Sequence, residues 1–208
     1  VPFAASSIPL VTLGTFLLWF GWFGFNGFSQ LAMGTFSDVN AITKIAVNTH
    51  LAGAAGTVAG AAITRLLGGK TDIIMMLNGA LAGLVAITAE PLTPTPVFAM
   101  FIGAAGAIIM YFGTKMLENF GLDDVVGAIP VHMFAGIFGT LIVPLSNGET
   151  SFSTQLVGVI SVCAFSFVLS YFAFSAMKST IGLRISKAAE KLGTDKAEIG
   201  VTAYSIRD

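Results

Sequence analysis

The feature that most constrains this chain is a series of long apolar runs cut by short polar connections. A helical crossing of a bilayer takes about 20 mostly apolar residues to traverse about 30 Å of hydrocarbon. Cutting at charges, prolines and polar clusters leaves six such runs: Ile8–Gln30, Ala41–Thr64, Ile73–Ala89, Val97–Met116, Val125–Leu145 and Thr154–Met177. A soluble fold cannot account for them. Of 208 residues, 55% are hydrophobic and only 10% charged, against roughly 25% charged in soluble domains. The mean hydropathy of +0.86 describes helices apolar on most sides, not one buried stripe per helix. Twenty-four glycines supply the small residues that let helix backbones approach closely where lipid offers no hydrophobic drive for association.

Lysine and arginine set the expected orientation. Arg65 and Lys70, then Lys115, then Lys178, Arg184, Lys187 and Lys191 fall on alternate connections and on the tail after the last run. The intervening connections carry Asp38, Glu90 and Glu149, the nearest base being Lys44. Nine of ten basic residues lie on one side, which the positive-inside rule makes cytoplasmic. Both ends of the chain are then expected inside, with residues 178–208 as a cytoplasmic tail. Gly68-Gly69 is placed as a helix stop, Pro91, Pro94 and Pro96 occupy an outer connection, and Asp123 and Asp124 sit where a helix N-terminus favours acids. The net charge of -1 without a basic patch leaves no nucleic-acid reading, and the lone Cys163 within an apolar run is a small buried hydrophobe. The chain opens Val1-Pro2-Phe3 without Met or a basic stretch, so no signal peptide is read there and a longer polypeptide is expected.

Ionisable groups within a span are functional candidates by default. Both here are histidines. His132 lies eight residues past Asp124, about 12 Å deep at 1.5 Å per residue, and His50 lies nine residues into the second run. A neutral imidazole offers one donor and one acceptor, and histidine changes charge near neutral pH, which suits a small hydrogen-bonding solute or a proton relay. Satisfaction by a hydroxyl or carbonyl of a neighbouring helix is the structural alternative for each. At the end of the first run, Phe25 and Ser29 stand four residues apart on one helix face. A hydroxyl above an aromatic face can hold an ammonium-type cation. The aromatic cluster Trp19-Phe20-Gly21-Trp22-Phe23 equally fits an interfacial belt.

These residues carry a family resemblance. Gly21-Trp22-Phe23-Gly24-Phe25-Asn26 resembles the sixth-helix motif of the ammonium transporter family (Amt/Rh), Amt branch. Asn78-Gly79-Ala80-Leu81-Ala82-Gly83-Leu84-Val85-Ala86-Ile87-Thr88 resembles its eighth helix, and Asp123-Asp124-Val125-Val126-Gly127-Ala128-Ile129-Pro130-Val131-His132 the start of its tenth. Gly182-Leu183-Arg184 and Gly200-Val201-Thr202-Ala203-Tyr204 are similar to its last helix end and cytoplasmic tail. The resemblance implies an all-α polytopic membrane protein with six transmembrane helices. They would be the second inverted repeat plus the long last helix of an eleven-helix transporter fold, its C-terminal half. It implies that Phe25 is one ring of a stacked phenylalanine gate, Ser29 part of an external ammonium site and His132 the second histidine of a twin pair in the pore. His50 falls outside that pattern. The first histidine of the pair, the vestibule tryptophan, the other gate phenylalanine and the acid beside the site are expected on helices one to five.

Departures are Phe28 where the motif is usually small, Met133-Phe134-Ala135-Gly136 in place of a more glycine-rich stretch, and Ile199 at an often polar tail position. The implied activity is ammonium recruitment, deprotonation near the gate and passage of ammonia with proton relay. It implies transport and not enzymatic catalysis, a homotrimer in the bacterial inner membrane, a PII-type regulator at the tail and no cofactor. An Amt-like ammonium sensor signalling through the tail, or a structural half-transporter subunit, remains open at this level.

Overall fold

The computed structural model describes residues 5–203. Tyr204 of the tail motif and the residues after it lie outside that range, as do the first four. Among the described residues the structure is helical throughout, without strands. α1 spans Ile8–Gly27 and runs into a 3₁₀ turn at Phe28–Gln30; α2 spans Phe36–Gly68, α3 Ile73–Thr88 and α4 Pro96–Asn119. A π-helical stretch, Ile129–Phe134, leads into α5, Ala135–Ile142, which closes in a 3₁₀ turn at Val143–Leu145. α6 spans Phe152–Thr180 and α7 Lys187–Leu192.

Several helices run past their apolar runs because polar residues at the water boundary cap them. Thr35 and Asp38 form a reciprocal capping box, Thr35 Oγ1 accepting from the Asp38 amide at 3.1 Å and Asp38 Oδ2 accepting from the Thr35 amide at 3.0 Å. α2 therefore begins five residues before Ala41. It ends where Gly69 takes φ +74° and its amide returns to the Arg65 carbonyl at 3.1 Å, a conformation glycine adopts without strain. The fifth segment differs more. Residues expected to open a helix at Val125 instead form a turn, with Gly127 at φ +74°. Helical structure starts only at Ile129, where the Asp124 carboxylate accepts from the Ala128 and Ile129 amides at 2.9 and 2.7 Å.

Four helical segments, Ile8–Gln30, Phe36–Gly68, Pro96–Asn119 and Phe152–Thr180, are long and apolar enough to cross a membrane; Ile73–Thr88 and Ile129–Leu145 are shorter apolar segments. α3, at 16 residues, is about 24 Å long and is the central stave of residues 1–156. Half of it is buried, Leu84 and Ile87 almost completely. Around it the backbones interlock through glycine. A Cβ at Gly56 would strike the Gly79 carbonyl, one at Gly103 the Ala52 carbonyl and one at Gly139 the Ala86 carbonyl, while one at Gly79 would stand 2.6 Å from the Gly56 oxygen. Helices in this contact have no room for a methyl group, which is the small-residue packing of membrane bundles.

Side-chain hydrogen bonds hold the outer connections. Asn48, fully buried on α2, donates from Nδ2 to the Pro91 and Pro94 carbonyls at 2.9 Å each. Proline lacks an amide, so those turns have few backbone donors of their own. Glu90 accepts from the Leu92 and Thr93 amides and from Asn147 Nδ2 at 2.9 Å, joining the α3–α4 connection to the one after α5. Asn26 of α1 donates to Thr49 Oγ1 of α2 at 2.9 Å.

Among the described residues, those from 157 to 203 form a second compact unit. Its helix carries Phe165, Phe167, Phe172 and Phe174, all exposed, so it is apolar all round, as a membrane span is. After it, Asp195 accepts from the Ala203 amide at 2.9 Å, and that hydrogen bond holds its carboxyl below the usual aspartate value.

The interlock predicts that Gly56→Ala and Gly103→Ala each destabilise the protein by about 1–3 kcal/mol through overpacking against backbone. Gly14→Ala, with nothing within 4 Å, should be neutral or stabilising by about 0.5–1 kcal/mol. Thermal unfolding in detergent checks the three, and equal midpoints for all would contradict the packing described.

Candidate functional site

Three helices each turn one face onto a common cavity of about 590 Å³. From α1 come Leu18, Gly21, Trp22 and Phe25, from α3 Val85, Thr88 and Ala89, and from the fifth segment His132, Gly136 and Thr140. Each set repeats at three- and four-residue intervals, so each is a single helical face. Gly21, Ala89 and Gly136 supply space where a larger side chain would fill it; a Cβ on Gly136 would meet Val85 Cγ1 in ordinary van der Waals contact at 3.5 Å, and one on Gly21 would meet nothing within 4 Å.

Most of the wall is apolar, and two of its polar side chains, Trp22 and Thr88, are bonded within it. Trp22 Nε1 donates to Thr88 Oγ1 at 2.7 Å, and Thr88 Oγ1 in turn donates to the Leu84 carbonyl at 2.7 Å. Both groups are thereby satisfied inside the wall. Trp22 meets Phe25 edge-on, the ring centroids 6.1 Å apart at 75°. His132 sits in the π-helical stretch, a form found mostly as single-turn bulges and frequently at functional sites. Pro130, inside that stretch, cannot donate a ladder hydrogen bond. The imidazole is exposed to the cavity and, among the described residues, has no hydrogen-bond partner, so both ring nitrogens are free for a solute.

The structure thus brings Phe25 and His132 together in one cavity. Ser29 is not among its lining residues. It lies on the 3₁₀ turn after α1, exposed, with Oγ donating to the Phe25 carbonyl at 2.9 Å. That back-bond uses its proton and leaves its oxygen as an acceptor. Phe28 folds back one turn, its ring edge 3.3 Å from where a Cβ on Gly24 would stand, and does not line the cavity. His50 is elsewhere, its ring packed between Trp19 and Phe23 at centroid distances of 5.5 and 6.1 Å. Sequence reasoning passed over Trp22, Thr88 and Thr140 as functional residues. The spacing of His132, Gly136 and Thr140 was the available signal for the last, but nothing local pairs Trp22 with Thr88.

The sequence matches the model of the Ammonium Transporter Family over residues 1–204. This chain belongs to that family. It is 40% identical to ammonium transporter Amt2 of Archaeoglobus fulgidus over 95% of its own length and 46% of that protein's. It is 32% identical to Amt2 of Methanocaldococcus jannaschii over 98% of its length and 48% of the relative's. Among solved structures it superposes on a sensor Amt protein with a TM-score of 0.84 at 34% identity, covering 92% of this chain and 49% of the other. On Mep2 of Candida albicans the TM-score is 0.78 at 27% identity, covering 91% and 45%. The chain therefore spans about half the length of the relatives it matches. With family and apolar helices together, it is a multi-pass membrane protein of the ammonium transporter family.

Thr88→Val keeps the shape of the wall and removes the acceptor of the Trp22 indole. An unpaired buried donor costs about 1–3 kcal/mol, so the variant should unfold at lower temperature. Its tryptophan emission should shift as the indole loses its fixed partner, and an unchanged spectrum and midpoint would mean the hydrogen bond does not form.

Proposed function

We propose that this chain contributes one wall of an ammonium-conducting path. The carrying observation is the placement of Phe25 and His132 on one mostly apolar cavity in whose wall Trp22 and Thr88 are bonded to each other. An intact cation in such a place is expensive. Ammonium held at the outer mouth, where Ser29 offers an acceptor oxygen and aromatic faces attract cations, would lose its proton near Phe25. Neutral ammonia would then pass His132, whose free nitrogens can accept or donate a hydrogen bond and pass a proton along.

Family membership and the relatives named as ammonium transporters support the substrate class. The lysine and arginine distribution supports cytoplasmic ends, and the reading places the chain in a bacterial inner membrane. The same reading carries a homotrimer, six transmembrane segments with the boundaries given above, and a tail from Lys178 that meets a PII-type regulator.

In the full-length protein, methylammonium uptake should fall about tenfold or more in His132→Ala, the low end of what a positioned proton carrier contributes. Ser29→Ala should weaken apparent affinity by about two- to tenfold, the worth of one hydrogen bond. Unchanged uptake in both would remove these residues from the path. A sensor reading is the alternative, since one of the structures on which the chain superposes is a sensor Amt protein. It expects an ammonium-dependent output that survives when His132→Ala abolishes uptake.

A further inference from the structure

Threonine hydroxyls within the helices follow a pattern. Thr12, Thr15, Thr57, Thr64, Thr88 and Thr114 each donate to the carbonyl four residues earlier, at 2.7 to 3.0 Å, the back-bond a helical hydroxyl can make to its own backbone. Thr49 and Thr154 are held in other ways, the first accepting from Asn26 and the second meeting the Ser151 hydroxyl. Thr140, on α5, departs from all of these. Its hydroxyl has no partner among the described residues, and the Gly136 carbonyl four residues back goes unused by it. The buried side-chain atoms without a partner are Trp19 Nε1 and Asn48 Oδ1, so Thr140 Oγ1 is not enclosed, and the residue lines the cavity of about 590 Å³.

Its level in the bundle is set by its neighbours. A Cβ on Gly139 would strike the Ala86 carbonyl, and one on Gly136 would touch Val85. Thr140 therefore stands beside the last turn of α3, where Thr88 accepts from Trp22. Phe25 is three residues past Trp22, and His132 is eight residues before Thr140, about 12 Å at 1.5 Å per residue. On the orientation proposed above, α1, α3 and α5 all run outward. A solute passing Phe25 then reaches the level of Thr140 before it reaches His132.

The hydroxyl proton decides what this level can hold. Thr88 has given its proton to the Leu84 carbonyl and its oxygen to the Trp22 indole. Thr140 has committed neither, so it keeps a free donor as well as an acceptor. Ammonia carries a nitrogen lone pair that accepts from such a donor. Ammonium has no lone pair and can only offer N–H groups. A free O–H one level inside the aromatic end of the cavity thus matches the neutral base and not the cation.

We propose that the Thr140 hydroxyl donates a hydrogen bond to the lone pair of ammonia just inside Phe25, as the first polar contact of the neutral solute on its way to His132. This contact rests on the ammonium-conducting path proposed above. The test is methylammonium uptake by the full-length protein in proteoliposomes; its free base, methylamine, carries the same lone pair. Thr140→Val keeps the shape and removes the hydroxyl. It is expected to lower the maximal rate about two- to tenfold, the worth of one hydrogen bond, with the half-saturating concentration unchanged because the outer mouth is untouched. Thr140→Ala removes the hydroxyl with less bulk and should match it, so that a folding defect in one variant does not hide the effect. Thr140→Ser keeps the hydroxyl and should restore the rate.

Wild-type rates in both Thr140→Val and Thr140→Ala would overturn the proposal. So would a Thr140→Ser rate as low as theirs, which makes the effect one of shape, or a change confined to the half-saturating concentration. His132→Ala separates this contact from the path itself. If its uptake falls while that of Thr140→Val does not, only the Thr140 contact is lost. If His132→Ala also matches wild type, or wild type takes up no methylammonium, the path is lost and the contact with it.

Discussion

The packing of this protein depends on backbone meeting backbone. Water drives apolar faces together in soluble domains, but lipid is as apolar as leucine, so helices within it associate through close fit. Here the fit is made at a few points where a carbonyl of one helix occupies the space a side chain would take on the next: Gly79 against Gly56, Ala52 against Gly103, Ala86 against Gly139. α3 stands in the middle of these contacts and is the shortest of the first four helices. Its position determines where the cavity-lining face of Val85, Thr88 and Ala89 can point. Stability and site are therefore set by the same helix, one on its buried faces and one on the face left open.

The open face follows a consistent economy of polar groups. In low dielectric an unpaired polar group is costly and a paired one is held firmly. Trp22 and Thr88 spend their hydrogen bonds on each other and on the Leu84 carbonyl, so they contribute shape and rigidity. His132 spends none within the described protein and is left to interact with what enters. At the outer connections Glu90 and Asn147 bond each other and Asn48 Nδ2 donates to two proline carbonyls, while the buried Asn48 Oδ1 has no partner among the described residues. The cavity thus combines a Trp22–Thr88 pair bonded within its wall with an imidazole that has no hydrogen-bond partner among the described residues.

The helical, membrane-embedded character was legible because it rests on physics that acts within each run: length, apolarity and the placement of lysine and arginine. Boundaries were less legible. Thr35 and Asp38 extend α2 into the polar zone through a cap that hydropathy does not register, and the turn at Gly127 delays the fifth helix. Of the candidate site, Phe25 and His132 stood out through a motif and through the rarity of intramembrane histidine. The Trp22–Thr88 pair, 66 residues apart in the chain, is a tertiary event with no local trace. The folding of Phe28 onto Gly24 likewise follows from three-dimensional space at the end of α1, not from the motif that made position 28 conspicuous.

The π-helical stretch at Ile129–Phe134 carries a further meaning for how such a wall can vary. Each residue added to or removed from a regular helix turns everything beyond it by about 100°. The widened turn absorbs such a change over six residues and lets His132, Gly136 and Thr140 share one bearing. A single-residue insertion or deletion within it would re-aim that whole face, and with it the Gly139–Ala86 and Gly113–Phe134 contacts by which this segment meets α3 and α4. Tied to α3 and α4 on one side and open to the cavity on the other, this stretch couples the bearing of His132 to the packing of the bundle.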